Sequence, residues 1–217
     1  MDVQCRSLTV STEGLHLLAP LSIVLSGPSL VALTGANGTG KTTLLKVLAA
    51  RLRPSSGHCE IRAPSTGYCG APDEFAPGFR ATTGSLIDTP PMARDMTVSE
   101  QLSLVSASWG HAPEQAEEQG QRLLERLTIP ELDSRFPHEL SAGQLQLFAL
   151  GLTLIRPAEL LLLDEPERHL DEHRVQAVLE LLQDRARKGA LVITATHRRE
   201  LVSGSERTLN LDSQGDR

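Results

Sequence analysis

Aromatic side chains are almost missing from this 217-residue chain: four Phe, one Tyr and one Trp, 3% in all. Without large rings the core must be built from Leu, Val, Ile and Ala, the composition of layered helix-and-sheet proteins. Cysteine is also scarce. Cys5, Cys59 and Cys69 are odd in number and form no Cys-x-x-Cys pair, which excludes a disulfide framework and suits reduced, buried thiols. No apolar run reaches a membrane span. The longest, Leu15 to Leu25, is broken by His16, Pro20 and Ser22. The N-terminus carries Asp2 and Glu13 and shows no signal-peptide pattern. Runs of Lys and Arg are absent and the net charge is -6, so nucleic acid is not an expected partner. What remains is 40% hydrophobic and 22% charged. That balance excludes disorder and fits one soluble, intracellular domain with a full core, or a core plus a small appendage.

Along the chain, roughly Val3 to Leu25 alternates loosely and predicts two short strands. Ser26 to Ser29 reads as a turn. Leu30–Thr34 is a continuous apolar run, the pattern of a strand buried on both faces, and it leads into the glycine-rich stretch Gly35–Gly40. Lys41–Arg51 predicts a helix, with Leu44, Leu45, Leu48 and Leu52 at helical spacing. A strand pair follows near His58–Ile61 and Gly67–Cys69. Proline and glycine crowd between Gly70 and Arg94, predicting an irregular connection. Thr97-Val98-Ser99-Glu100 is a capping box that opens a helix to about Ser108, and a second helix runs from Pro113 to Leu127. Ser141–Ile155 predicts a helix apolar nearly all round. Then come a strand at Leu160–Leu163, a helix at Asp171–Lys188 closed by Gly189, a strand at Leu191–Thr194, and an edge strand at Arg207–Leu211 before a polar tail. Strand–helix alternation of this kind predicts an α/β fold with a mostly parallel sheet.

Gly35-Ala36-Asn37-Gly38-Thr39-Gly40-Lys41-Thr42 matches GxxxxGK[ST] between a predicted strand and a predicted helix. Glycines let the backbone wrap phosphates, consecutive N–H groups form an anion nest, and the helix N-terminus adds partial positive charge. Lys41 would reach the β- and γ-phosphates, and the Thr42 hydroxyl would ligate Mg²⁺. Leu160–Leu163 is followed by Asp164-Glu165 at the strand end where open α/β sheets bind ligands. Asp164 would hold Mg²⁺ through water, and Glu165 could polarise the attacking water. Leu140-Ser141-Ala142-Gly143-Gln144 opens a helix, with Ser141 as N-cap and Gln144 completing a capping box. Gly143 is a poor helix residue there, which makes sense if a ligand approaches the backbone. His169 and His173 flank the expected N-cap Asp171 and need not share a face, so zinc is not expected.

In order and spacing these motifs resemble the nucleotide-binding subunit of ABC transporters over nearly the whole chain. Gly35–Thr42, continuing into Thr43, looks like Walker A. Leu160–Glu165 looks like Walker B with the catalytic glutamate, and Leu140–Gln144 like the LSGGQ signature with Ala142 replacing a glycine. Leu170-Asp171 fits the D-loop and His197 the switch histidine. The resemblance implies a P-loop NTPase core, an N-terminal antiparallel β-subdomain and an inserted helical subdomain near residues 72–149, the core taking about 1–70 and 150–217. It implies Mg-dependent ATP hydrolysis in a head-to-tail homodimer around two ATP, in which Ser141 and Gly143 meet the γ-phosphate across the interface and Gln144 and Asp171 also belong to the binding site. Separate transmembrane subunits and a peripheral place on the inner face of the cell membrane follow from the same resemblance.

Three departures accompany it. No Gln stands near Ala71-Pro72-Asp73, where the family senses metal and partner, leaving Asp73 or Glu74 as substitute oxygens. No aromatic stands near Leu15-His16 to stack on adenine, leaving His16 as a weaker platform. The signature helix is unusually apolar at Leu145, Leu147, Phe148 and Leu152. The Ser-Ala-Gly-Gln signature is similar to that of the compact ATPases of cytochrome c maturation. The alternatives are a soluble, non-transport ABC-type ATPase and an ATP-dependent clamp with weak turnover. A GTPase is disfavoured because no N-K-x-D motif occurs.

Overall fold

In a computed structural model, residues 1–212 are described, and the expected polar tail lies outside them. The chain forms two compact units. One comprises Met1–Ile87, Ala158–Glu165 and the chain from Leu182 on; the other comprises Asp88–Pro157 and Pro166–Leu181.

In the first unit β1 (Asp2–Thr12) and β2 (Leu15–Ser26) pair antiparallel. They are longer than the two short strands expected, because register shifts near Leu8 and Val10 absorb the breaks in alternation. With β4 (Ser56–Ala63) and β5 (Tyr68–Gly70) they form a four-stranded sheet in the order β2-β1-β4-β5. A second sheet contains β3 (Ser29–Thr34), β6 (Thr83–Leu86), β7 (Leu160–Asp164), β8 (Leu191–Ala195) and β9 (Arg207–Asn210). Its order is β6-β7-β8-β3-β9 and its pairings are parallel. One core joins both sheets to α1 (Lys41–Leu48) through Val3, Leu21, Ile61, Val31, Leu162, Ile193, Leu44 and Leu48, among others. The helix ends three residues before the expected Arg51. Ala50 turns left-handed at φ 61°, and the amides of Arg51 and Leu52 return to the Lys46 carbonyl.

Two elements lie inside the stretch expected to be irregular: α2 (Pro77–Thr82) and β6. Thr83-Gly84-Ser85-Leu86 has no strand signature of its own. It becomes a strand because Leu160–Leu163 of β7 accepts it as a parallel neighbour, residue for residue. That pairing puts residues up to Ile87 with the sheets, so the compact units divide the chain differently from an insert at 72–149.

The second unit is helical. α3 (Val98–Ser108) starts at the expected capping box: the Glu100 amide donates to Thr97 Oγ1 (3.2 Å) and the Thr97 amide to Glu100 Oε2 (2.7 Å). α4 (Pro113–Arg126) packs on α3 at Gly120, where an added Cβ would lie 3.3 Å from the Leu102 side chain. α5 (Ala142–Leu154) buries Leu147, Phe148, Ala149 and Leu150, as its all-round apolar character predicts. α6 (Glu172–Arg187) runs from this unit into the first, and α7 (Arg199–Ser203) is a short helix not expected from the sequence.

Cys5 and Cys59 are buried directly opposite each other on β1 and β4, with sulfurs 3.3 Å apart. The contact with Cys5, then burial, pushes the Cys59 thiol far up, so it stays protonated. Cys69 departs from the expectation of buried thiols: it is exposed on β5, on the face of Arg62 and Glu60.

Candidate nucleotide-phosphate site

The strand order carries the site. β3, β8 and β7 are parallel neighbours, with Leu33 beside Ala195 and Ala195 beside Asp164, so the chain leaves all three strands at one edge. β3 delivers the loop from Gly35, β7 delivers Asp164 and Glu165, and β8 delivers His197. Three segments far apart in sequence therefore meet.

The loop takes positive φ at Gly35 (143°), Gly38 (85°) and Gly40 (97°). At Gly40 an added Cβ would stand 2.6 Å from the Leu17 carbonyl, so glycine is required by both backbone and neighbour. No side chain caps the first turn of α1, which leaves its N–H groups to a ligand. The Lys41 stem is buried, and its ammonium donates back to the carbonyls of Gly35 (2.7 Å) and Ala36 (2.9 Å). Thr39 Oγ1 donates to Ala36 O as well (3.0 Å).

Thr42 Oγ1 donates to Asp164 Oδ2 at 2.6 Å. Burial pushes the Asp164 carboxyl above the usual aspartate range; the Thr42 hydrogen bond opposes the shift and the Glu165 charge adds to it. Glu165 follows at φ 46°, held by its amide on the Ala195 carbonyl (2.9 Å). Its carboxylate is 4.0 Å from His197 Nε2, both side chains about half exposed.

These groups line a single cleft of about 530 Å³, together with Asn37, Gly38, Gly40, Thr43 and the segment Leu15–Leu17. His16 belongs to that wall, with Nδ1 3.0 Å from Ser11 Oγ. Gly35 and Ala36 hold Lys41 through their carbonyls, Thr39 is bonded to the Ala36 carbonyl, and none of the three lines the cleft. Asp73 and Glu74 correct an expectation. Neither lines this cleft; both line a separate pocket of about 300 Å³, and Asp73 Oδ1 accepts from the Phe75 amide (2.9 Å). Asp212 was missed altogether. It is a lone acid beyond the last strand, and only folding brings its carboxylate to the Ala36 amide.

Ser141, Gly143, Gln144 and Asp171 lie in the helical unit. Ser141 and Gln144 form the expected capping box on α5 (3.4 and 3.0 Å). Asp171 Oδ1 accepts from the Arg174 amide (2.9 Å) in the first turn of α6. Gly143 has a reason inside its own unit: an added Cβ would stand 2.7 Å from the His169 carbonyl. This close backbone approach within the unit already demands glycine there. Gly143→Ala should therefore destabilise the protein by about 1–3 kcal/mol from overpacking, against about 1 kcal/mol gained in helix propensity. A denaturant melt checks the net loss; an unchanged midpoint would mean that the 166–170 turn yields freely.

Asp164 gives a second expectation. A carboxyl whose folded pKa is raised contributes stability present at low pH and lost as pH rises through that value. Asp164→Asn should thus leave the unliganded protein equally or more stable at pH 7.5, while losing any stabilisation by Mg²⁺ with nucleotide. Wild-type stabilisation by that ligand pair should fade on acidification earlier than an ordinary aspartate allows. Thermal melts at pH 7.5 and 5 with and without ligand test both statements.

A glycine-lined phosphate loop between β3 and α1, with an acidic pair at the end of a nearby parallel strand, defines a P-loop nucleotide-binding protein of the α/β class. The model for the ABC transporter family matches residues 18–168, and the chain belongs to that family as an ABC ATPase nucleotide-binding domain. The macrolide export ATP-binding/permease protein MacB of Bartonella quintana is 28% identical over 206 residues, covering 95% of this chain and 31% of that protein. The spermidine/putrescine import ATP-binding protein PotA of Nitrosospira multiformis is 32% identical over 196 residues, covering 90% and 52%. The chain thus spans about a third to a half of these relatives. The dimeric structure of a bacterial ABC transporter cassette superposes with a TM-score of 0.83 at 18% identity over 96% of this chain and 93% of that one. The same cassette in a post-hydrolysis state with ADP and Pi gives 0.81 at 19% identity over 96% and 93%. These structures carry the fold.

Proposed function

We propose that the chain binds and hydrolyses ATP with Mg²⁺ and powers a transporter whose membrane-spanning part is a separate subunit. The observation that carries this reading is the meeting of Lys41, Thr42, Asp164, Glu165 and His197 in one cleft. The N–H groups of the loop and of the uncapped first turn of α1 cradle the phosphates, and the Lys41 ammonium, with two hydrogens on the loop carbonyls, offers its third to the β- and γ-phosphates. Thr42 and Asp164, already 2.6 Å apart, are a hard-oxygen pair that fits Mg²⁺. When bound, the ion would neutralise charge on the phosphate oxygens. Glu165 orients a water and takes its proton, and His197, 4.0 Å from Glu165, faces the γ-phosphate beside it. Leu15, His16 and Leu17 receive the base, with the imidazole as the stacking surface in place of an aromatic ring.

Dimerisation around two ATP, with Ser141, Gly143, Gln144 and Asp171 supplied from the second copy, is supported by the dimeric cassette of like fold. Among the described residues no helix is long and apolar enough to cross a membrane, and the matched relatives are named for import and export. Phe75, 78% exposed beside the 300 Å³ pocket, is the apolar surface that supports docking of a membrane subunit, and with it a peripheral place at the cytoplasmic face. Light scattering on Glu165→Gln with and without Mg-ATP tests the reading. A nucleotide-dependent doubling of mass is expected; absence of nucleotide binding would overturn it.

A further inference from the structure

We propose that Asp212 is a positioning residue of the phosphate loop: it fixes the peptide group that holds Lys41. The proposal rests on the reading of the cleft as an ATP site. β9 lies parallel to β3, with Asn210 beside Thr34, and the Leu211 amide continues the ladder to the Thr34 carbonyl (3.0 Å). The chain after β9 therefore leaves the sheet at the same edge as the phosphate loop. The Asp212 amide donates to Asn210 Oδ1 (2.9 Å), a side-chain turn that bends the chain at this point. Its carboxylate then accepts the Ala36 N–H with both oxygens, at 3.0 and 3.2 Å.

That N–H and the Gly35 carbonyl belong to one peptide group. The group is held at its N–H end by the Asp212 carboxylate and at its C=O end by the Lys41 ammonium, 2.7 Å away. An anion at one end and a cation at the other polarise the peptide in the same sense, so each hydrogen bond strengthens the other. This plane, together with the Ala36 carbonyl of the next peptide at 2.9 Å, sets where the ammonium sits before nucleotide arrives. Gly35 permits the arrangement: an added Cβ would lie 2.8 Å from Thr39 Oγ1 and 3.4 Å from Asp212 Oδ1. Asp212 does not line the cleft and acts through Lys41.

Asp212→Ala and Asp212→Asn in the full chain test this by calorimetric titration with Mg-ATP, steady-state turnover and thermal melting. Asp212→Ala should raise Kd and KM for ATP about tenfold, with kcat within about twofold because Glu165 and His197 are untouched. Asp212→Asn keeps an acceptor for the Ala36 N–H and should recover most of the loss, and both variants should melt within a few degrees of wild type. Unchanged Kd in Asp212→Ala, no recovery in Asp212→Asn, or a KM rise matched by a large loss of thermal stability would each overturn the proposal. So would binding by Asp212→Asn tighter than wild type, which would mean that the carboxylate opposes the phosphates. Failure of the wild type itself to bind Mg-ATP would overturn the ATP reading and this proposal together.

Discussion

Glu165→Gln is expected to lower ATP turnover by about 10²–10⁴-fold, the usual contribution of a general base, with ATP affinity kept within a few-fold. The amide has the shape of the carboxylate and cannot take a proton. The site should survive the change, since the Glu165 amide holds the backbone there on the Ala195 carbonyl. Asp164 is the neighbouring acid, yet it is partly buried and bonded to Thr42, so it is badly placed to replace the base. Phosphate release under single-turnover conditions measures the effect. A fall of less than about tenfold would place the base elsewhere, because no weaker loss is compatible with removal of the group that accepts the water's proton.

Lys41→Ala is expected to fail at the earlier step, weakening ATP binding by about 10²-fold. Two losses combine. The phosphates lose a charge-assisted donor, and the carbonyls of Gly35 and Ala36 lose the ammonium that now satisfies them. Lys41→Arg should rescue poorly, because a planar guanidinium does not fit a stem that is only 8% exposed beneath the loop. Calorimetric titration with Mg-ATP separates the two variants: Glu165→Gln binds and does not turn over, whereas Lys41→Ala scarcely binds. Equal affinity of Lys41→Ala and wild type would remove Lys41 from phosphate recognition.

Much of this machinery was legible before folding, for local reasons. The loop from Gly35 to Thr42 announces itself because each glycine answers a backbone demand, seen here as positive φ at three of them. The capping boxes at Thr97 and Ser141 were readable because they are short-range hydrogen-bond exchanges within four residues. Other elements were not. The edge strand β6 has no pattern of its own and exists through its partner β7. The steric reason for Gly143, the His169 carbonyl against it, lies 26 residues further along the chain and has no local signal. Asp73 was a reasonable substitute for a missing Gln by position alone, and its side chain instead caps the Phe75 amide.

Residue order alone supplies the chemistry: a phosphate loop, a strand ending in two carboxylates, a histidine after another strand, and an α/β frame to carry them. Short-range rules suffice for that, since loop conformation, helix starts and buried-strand composition are written within a few residues. Which groups come together depends on long-range strand pairing. Strand order brought Asp164, Glu165 and His197 to the edge where the loop leaves β3, and set Asp212 against a peptide 176 residues earlier. It also drew Asp73 and Glu74 into another pocket. Pairing between distant strands depends on packing and register across the sheet, which no local window of the chain contains.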